Sequence, residues 1–207
     1  ICVRLVGSEM CIRDSIMHVS ASTIHAGINS DTKVPVGGPE EAQERGAVAI
    51  SCQINLGSNN EGEMIRDAGL LTSAALSHDM PVLGMIYPRG PGLIPIEGDK
   101  TNGVAHAARL AWELGCHVAK VPWTGSADSF HDVCSSVPIP VLIAGGQPNT
   151  SFAQTLEIVE SAISVGGAGV CMGRQIFGAH DRIDRIRALR AIIHEGKTSN
   201  EAIQMMG

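Results

Sequence analysis

Six short apolar runs, each closed by small or polar residues and followed by an amphipathic stretch, limit what this chain can fold into. The runs are 16–20 (IMHVS), 47–56 (AVAISCQINL), 82–86 (VLGMI), 117–122 (HVAKVP), 141–144 (VLIA) and 169–172 (GVCM). They are short and almost continuously apolar, as expected of strands buried on both faces. Between them the apolar period lengthens to that of a helix. Residues 61–78 place Met64, Ala68, Leu71 and Ala75 on one face, and 103–115 place Val104, Ala108 and Ala111 together. Residues 152–164 do the same with Phe152, Leu156, Val159 and Ile163, and 182–194 with Ile183, Ile186, Leu189 and Ile193.

Strands alternating with helices predict right-handed βαβ units and a parallel sheet. The spacing of the last five runs is close to the roughly 30 residues per unit of an α/β TIM barrel. A doubly wound sheet is the alternative. Against it, no G-x-G-x-x-G follows a first strand, and polar residues close nearly every run instead of gathering at one switch point. Six units cannot close an eight-stranded barrel, so an N-terminally truncated barrel is expected, its first two units absent from this chain. Residues 1–14 fit neither pattern and read as a non-native leader, foreign or mis-translated. Residues 15–207 read as one partial barrel domain.

Aromatic residues make up only 3% of the chain against 44% hydrophobic overall, so the core must be built from Val, Ile, Leu, Ala and Met. That apolar content excludes disorder, and 24 glycines suit many tight strand–helix junctions. The net charge is −6 and no basic face stands out, which excludes nucleic acid as a partner. The locally basic stretch 182–190 reads as a solvated helix face. The six cysteines, Cys2, Cys11, Cys52, Cys116, Cys134 and Cys171, form no C-x-x-C pair. They read as small buried thiols of a reducing, cytoplasmic compartment. Neither a metal-ligand cluster nor an apolar run of membrane-spanning length is present, and residues 1–14 do not form a signal peptide. No metal, cofactor or membrane partner is therefore expected.

Lys120 is the residue with the most chemical content, because it interrupts an apolar strand. A charged, unpaired ammonium there would cost several kcal/mol. Two readings follow: a lysine that snorkels or forms a buried salt bridge, or one that sheds its proton and becomes a nucleophile toward carbonyls. The other lysines, Lys33, Lys100 and Lys197, read as ordinary residues of exposed helix faces. Tyr87, the only tyrosine, ends another strand, and Pro88 and Gly90 stop that strand so that Tyr87 and Arg89 sit at its carboxyl rim. Catalytic side chains of barrels sit at that rim, and a phenol can donate and accept a proton; a packed, hydrogen-bonded tyrosine is the alternative. Gly145 and Gly146 follow the next-to-last strand, and Gly173 and Arg174 follow the last one. Open backbone N–H groups with a forked cation match the phosphate site that barrels build after their last two strands. Gln53, Asn55, His18, Ser20 and Ser22 are further rim candidates, each read more readily as a structural hydrogen-bonder than as a catalyst. His106 and His194 read as ordinary helix residues.

The segments MHVSAST, CQINLGS, MIYPRG, AHAARLAWELG, AKVPWTG, SFHDV, VLIAGG and GVCMGRQIF resemble the archaeal-type class I fructose-bisphosphate aldolases. They are more similar still to the 2-amino-3,7-dideoxy-D-threo-hept-6-ulosonate synthases, MIYPRG above all. The resemblance runs from about residue 15 to 203, in the family order. It implies Lys120 as Schiff-base lysine, Tyr87 as acid/base, and a sugar-phosphate site at Gly145, Gly146, Gly173 and Arg174, with Arg89 and Asn55 also contacting substrate. It further implies a transaldol reaction between a phosphorylated keto-sugar and an aldehyde, in a cytoplasmic homo-oligomer without cofactor. Two departures stand out. Trp123 occupies a position where the family usually has Tyr, and the family's first-strand Asp-His-Gly has no counterpart here. The Asp of that motif is an acid/base residue in the family, so the chain as it stands is expected to lack that group. The alternatives are a glycolytic aldolase with the same chemistry, and a phosphate-binding barrel with no covalent step.

Overall fold

The computed structural model describes residues 15–145 and 150–206; the expected leader, 1–14, lies outside them, as does Gly146. The described residues begin with β1 (Ile16–His18). An excursion follows: a short strand β2 (Ser20–Ala21), a 3₁₀ segment (Ile24–Asn29) and β3 (Val34–Pro35), then α1 (Pro39–Glu44). From there strand and helix alternate: β4 (Ala49–Leu56), α2 (Glu61–Leu76), β5 (Val82–Pro88), α3 (Val104–Glu113), β6 (Val118–Val121), α4 (Ala127–Ser135), β7 (Val141–Ala144), α5 (Phe152–Ser164) and β8 (Gly169–Cys171). Three helices close the chain, α6 (Arg174–Phe177), α7 (Arg182–Glu195) and α8 (Ser199–Gln204).

All six apolar runs become strands of one parallel sheet in the order β1-β4-β5-β6-β7-β8, while β2 and β3 pair antiparallel on their own. The order follows the sequence and never reverses. A doubly wound sheet requires a reversal, so this is the wall of a barrel. Helix ends are set locally. Ser126 accepts from the Ser129 N–H to start α4, and Ser151 with Gln154, like Thr198 with Glu201, forms a reciprocal capping box.

Register divides each strand between two environments. Cys52, Gly84, Ala119 and Val141 are level with one another and belong to the face that packs on the helices. Gln53, Met85, Lys120 and Leu142 form the next level and point the other way. The helix side is close-packed by small residues: Ala107, Ala108 and Ala111 of α3 are fully buried, and Phe130 of α4 is the largest completely buried side chain.

Several local expectations need correction. The run 16–20 is not one strand: β1 ends at His18, and Ser20 opens the separate strand β2. Ile183 is 60% exposed, and α7 instead buries Ala188, Leu189, Ala191 and Ile192, because its contacts lie with α5 and α8 at its C-terminal half. Lys33, Lys100 and Lys197 all lie in loops or turns, not on helices. The thiols Cys52 and Cys116 are free and buried against each other; their mutual hydrogen bond and burial hold Cys116 protonated, its pKa raised.

The loops after β4 and β5 cross in backbone contact. The N–H groups of Arg89 and Gly90 both donate to the Leu56 carbonyl, at 3.2 and 2.7 Å. A Cβ on Gly90 would lie 1.9 Å from the Gly57 carbonyl carbon. Gly90→Ala should therefore cost at least about 2 kcal/mol, by the same mechanism as core overpacking. Gly62→Ala in α2, where a Cβ meets nothing within 4 Å, should be neutral or stabilising. Thermal denaturation of the two variants checks this; equal midpoints would mean that the crossing is loose.

Candidate active site

The carboxyl ends of β4 to β8 surround a cavity of about 340 Å³. Gln53, Tyr87, Arg89, Lys120, Gly145, Gly173 and Arg174 all line it, joined by Ala144, Cys171, Met172 and Gln175. Residues that span more than a hundred positions in the chain thus meet on one face. Lys120 is half-buried, and its Nζ lies 3.5 Å from the Met85 Sδ, the side chain level with it on β5. Tyr87 stands two residues beyond Met85 on the same face, a rise of roughly 6–7 Å toward the rim. The Arg89 guanidinium lies over the Tyr87 ring, 4.9 Å from its centroid. Trp123, beyond β6, packs on Phe130 with ring centroids 5.1 Å apart.

Asn55 does not reach the cavity. It is completely buried, and its amide is consumed by the protein: Oδ1 accepts from Gln53 Nε2 and Arg89 Nε, both at 2.9 Å, and Nδ2 donates to the Asp31 carbonyl. The expected substrate contact is corrected to that of a residue holding Gln53 and Arg89 in place. His18, Ser20 and Ser22 also lie outside the cavity wall. His18 is hydrogen-bonded to Ser51 (3.0 Å) and Ser20 (3.3 Å), Ser20 accepts from the Gln53 N–H (3.0 Å), and Ser22 donates to the Ser30 carbonyl (2.9 Å).

On the opposite wall, a Cβ on Gly145 would lie 2.6 Å from the Met172 Cβ, so the ends of β7 and β8 approach as closely as they do only because that residue is glycine. Gly173 then precedes α6, and its carbonyl accepts from the Ile176 and Phe177 N–H groups, at 2.9 and 2.8 Å. Gln175 accepts from the Thr155 hydroxyl (2.9 Å), and its carbonyl accepts from Arg185 (2.7 Å), which fixes α6 against α5 and α7.

Six arginines, Arg45, Arg66, Arg109, Arg185, Arg187 and Arg190, are ion-paired. Among the described residues Arg89, Lys120 and Arg174 around the cavity, and Lys33 beside it, have no carboxylate partner; elsewhere Lys100, Arg182 and Lys197 have none either. The buried salt bridge considered for Lys120 is thus absent among the described residues. Gathering unpaired cations is unfavourable unless an anion is bound there, all the more notable in a chain of net charge −6. A second cavity, about 320 Å³, lies under the β5–α3 loop between Leu56, Leu93, Ile94, Ile96, Asp99 and His106; it contains neither lysine nor arginine.

Sequence reasoning missed Lys33, Met85, Met172, Cys171 and Gln175. Met85 was findable only through register, which places it beside Lys120. Lys33 carried no pattern at all, since it lies in the excursion between β2 and β3.

Comparison with known proteins decides the family. The profile of the DeoC/LacD family aldolases matches residues 14–179. The chain belongs to that family. The aldolase is 35% identical over 202 residues to a 2-amino-4,5-dihydroxy-6-oxo-7-(phosphonooxy)heptanoate synthase of Streptomyces griseus, covering 97% of this chain and 72% of the relative. It is 36% identical over 192 residues to 2-amino-3,7-dideoxy-D-threo-hept-6-ulosonate synthase 1 of Archaeoglobus fulgidus, covering 93% and 70%. Among solved structures it superposes with a TM-score of 0.79, at 28% identity, on an archaeal fructose-1,6-bisphosphate aldolase whose catalytic lysine is covalently bound to the carbinolamine intermediate of the substrate. That match covers 87% of this chain and 71% of the other. No helix among the described residues of the aldolase is long and apolar enough to cross a membrane.

Partial burial, opposed by hydrogen bonding to Ser51 and aided by the Lys33 and Lys120 charges, holds the His18 pKa below its usual 6.5. The imidazole should titrate below 6.5 by NMR, and Lys33→Gln should raise that midpoint. Because the folded state binds this proton less readily than the unfolded chain, His18's contribution to stability is full above 6.5 and declines as pH falls below it. A midpoint at or above 6.5 would overturn this account.

Proposed function

We propose that the chain is a class I aldolase of the transaldol type, with Lys120 as the Schiff-base nucleophile and Tyr87 as the acid/base. The observation that carries the reading is the placement of an amine without a carboxylate partner inside a cavity that also holds a phenol and two unpaired guanidinium groups. The Lys120 Nζ attacks the ketone carbon of a phosphorylated keto-sugar. The carbonyl oxygen becomes a hydroxyl, and loss of water leaves an iminium. That electron sink allows the adjacent C–C bond to break: the hydroxyl proton passes to a base, an aldehyde leaves, and an enamine remains on the lysine. Tyr87, facing the same space, is suited to move that proton. The enamine then adds to a second aldehyde, and water returns to release the product and the free amine.

Gly145, Gly173 and Arg174 supply the phosphate end of the site, with the first-turn N–H groups of α6 and the forked cation at one corner of the cavity. Gly146 belongs to the same reading through the family resemblance. The greater likeness of MIYPRG to the heptulosonate synthases, together with the two synthase relatives, favours a phosphorylated keto-sugar donor and an amino-acid-derived aldehyde acceptor. The second reading, cleavage of fructose 1,6-bisphosphate, rests on the superposition with the archaeal aldolase. We place the protein in the cytoplasm as a homo-oligomer on the family resemblance, and read residues 15–207 as its catalytic domain.

Lys120→Arg should lower turnover by orders of magnitude with the fold intact, since arginine keeps the charge but cannot lose its proton to attack a carbonyl. Borohydride in the presence of a keto-sugar phosphate should leave a reduced adduct on Lys120 in the native protein and none in the variant. Mass spectrometry reads this directly. An adduct on Lys33, Lys100 or Lys197, or none at all, would exclude the assignment, and the latter would point to a non-covalent phosphate-binding barrel.

Arg174→Ala should raise KM for the phosphorylated substrate roughly 10- to 100-fold, the value of one or two charge-assisted hydrogen bonds. Steady-state kinetics with the keto-sugar phosphate checks it, and an unchanged KM would place the phosphate elsewhere.

A further inference from the structure

We propose that Gln53 is a specificity-determining residue: its side-chain carbonyl, held as a hydrogen-bond acceptor in the cavity, selects substrates that carry a hydroxyl opposite it. This rests on the aldolase reading above and narrows the substrate class within it. The first step is which way two amides must be turned. Arg89 Nε can only donate, and it lies 2.9 Å from one end of the Asn55 amide, which is therefore the oxygen, Oδ1. The Asp31 carbonyl can only accept, and it meets the other end, which is therefore Nδ2. Asn55 is completely buried between these partners, and reversing it would set N–H against N–H and oxygen against oxygen. The Gln53 amide atom 2.9 Å from Asn55 Oδ1 must then be the donor, Nε2. The remaining end of that amide is Oε1. A donor-only guanidinium beyond β5 thus sets the orientation of a side chain on β4, through one buried amide.

Gln53 lines the cavity, and its Oε1 has no hydrogen-bond partner among the described residues. Its backbone N–H donates to the Ser20 hydroxyl (3.0 Å), which pins this point of β4. The rest of the wall makes such an acceptor uncommon. The charged groups of Arg89, Lys120 and Arg174 only donate. Gln175, the other amide in the wall, is spent on the protein: its Oε1 accepts from the Thr155 hydroxyl (2.9 Å) and its Nε2 donates to the Thr150 carbonyl (3.4 Å). Apart from the Tyr87 phenol, Gln53 Oε1 is the strong side-chain acceptor left uncommitted in the wall among the described residues. A phosphate or carboxylate has no proton to give it. An ammonium could donate, but Arg89, Lys120 and Arg174 around the same cavity oppose a further positive charge. A hydroxyl is neutral and donates, and a phosphorylated keto-sugar carries several. Gln53 is level with Lys120 but two strands away, roughly 10 Å across the sheet. Side chains reaching into one cavity from that separation bracket a short carbon chain, so the hydroxyl read by Gln53 lies a few atoms from the carbonyl that Lys120 attacks. A substrate lacking that hydroxyl would leave Oε1 unpaired once water is displaced, which a binding site penalises.

Borohydride trapping on Lys120 serves as the readout, because it reports substrate binding and imine formation without requiring turnover. The concentration for half-maximal trapping is measured for a keto-sugar phosphate and for its mono-deoxy analogues, each lacking one hydroxyl. Both the native protein and Gln53→Met, a change of similar volume without an amide, are compared. In the native protein one analogue should require roughly 10-fold more than the parent sugar, or higher still. Gln53→Met should require roughly 10-fold more of the parent than the native protein does, yet no more than about twofold more of that one analogue, so that the two losses are not additive. Equal losses on the parent and every analogue would mean that Gln53 only supports the wall. Native behaviour of the variant on all of them would mean that its carbonyl touches nothing. Either result overturns the proposal and leaves the Schiff-base reading standing, whereas no adduct on Lys120 in the native protein sinks both. If Gln53→Met does not fold, Gln53→Asn, which keeps the amide but withdraws it by one methylene, is held to the same outcomes.

Discussion

The two faces of one parallel sheet impose opposite demands, and the site exists because both are met on the same strands. On the helix side, Cys52, Gly84, Ala119 and Val141 admit only small or branched apolar groups, since Ala107, Ala108 and Ala111 bring α3 against the sheet with no room to spare. One residue along, the same strands present Gln53, Met85, Lys120 and Leu142 to a cavity. Lys120 can stand in the middle of a strand only because its neighbours on either side, Ala119 and Val121, are completely buried and anchor the backbone there. Burial on one face holds the Lys120 side chain toward the cavity on the other.

Polar organisation on the cavity side centres on Asn55. A fully buried amide must satisfy its hydrogen bonds or cost about 1–3 kcal/mol for each one left open. Its partners are Gln53, Arg89 and the Asp31 carbonyl, which belong to β4, to the rim of β5 and to the excursion after β1. The backbone crossing at Gly90 secures the same corner from the other direction. Arg89 is thereby held over Tyr87 with its terminal nitrogens available. The opposite corner is built differently: Gly145 lets β7 and β8 converge, and Gln175 ties α6 to its neighbours. Among the described residues Arg89, Lys120 and Arg174 around the cavity have no carboxylate partner, as Lys100, Arg182 and Lys197 elsewhere have none, while six arginines are matched with carboxylates, mostly one helical turn away. Exposed pairs of that kind contribute little to stability.

Much of this was legible without coordinates. Alternating periods of two kinds determined the six strands, their parallel pairing and the order of units, because burial on both faces and amphipathic packing are written directly into residue spacing. A lysine inside an apolar run and a tyrosine before Pro-Arg-Gly pointed to the rim, because each is unfavourable or improbable in an ordinary strand interior. Glycines after the last two strands did the same for the corner of the cavity at Gly145 and Gly173. What the spacing could not supply was register and the path of the excursion between β1 and α1. Register decided that Met85 rather than another residue meets Lys120; tertiary hydrogen bonds decided that Asn55, on the same face as Gln53, is spent as a fastener; and helix packing left Ile183 in solvent. Tertiary contact alone set the Lys33 segment against α2, its N–H at the Met64 sulfur, since nothing periodic in the excursion announces where it packs. Local energetics choose elements and can be read along the chain; which side chains share a cavity is fixed only when distant strands are set level with one another, and that is a property of the folded sheet.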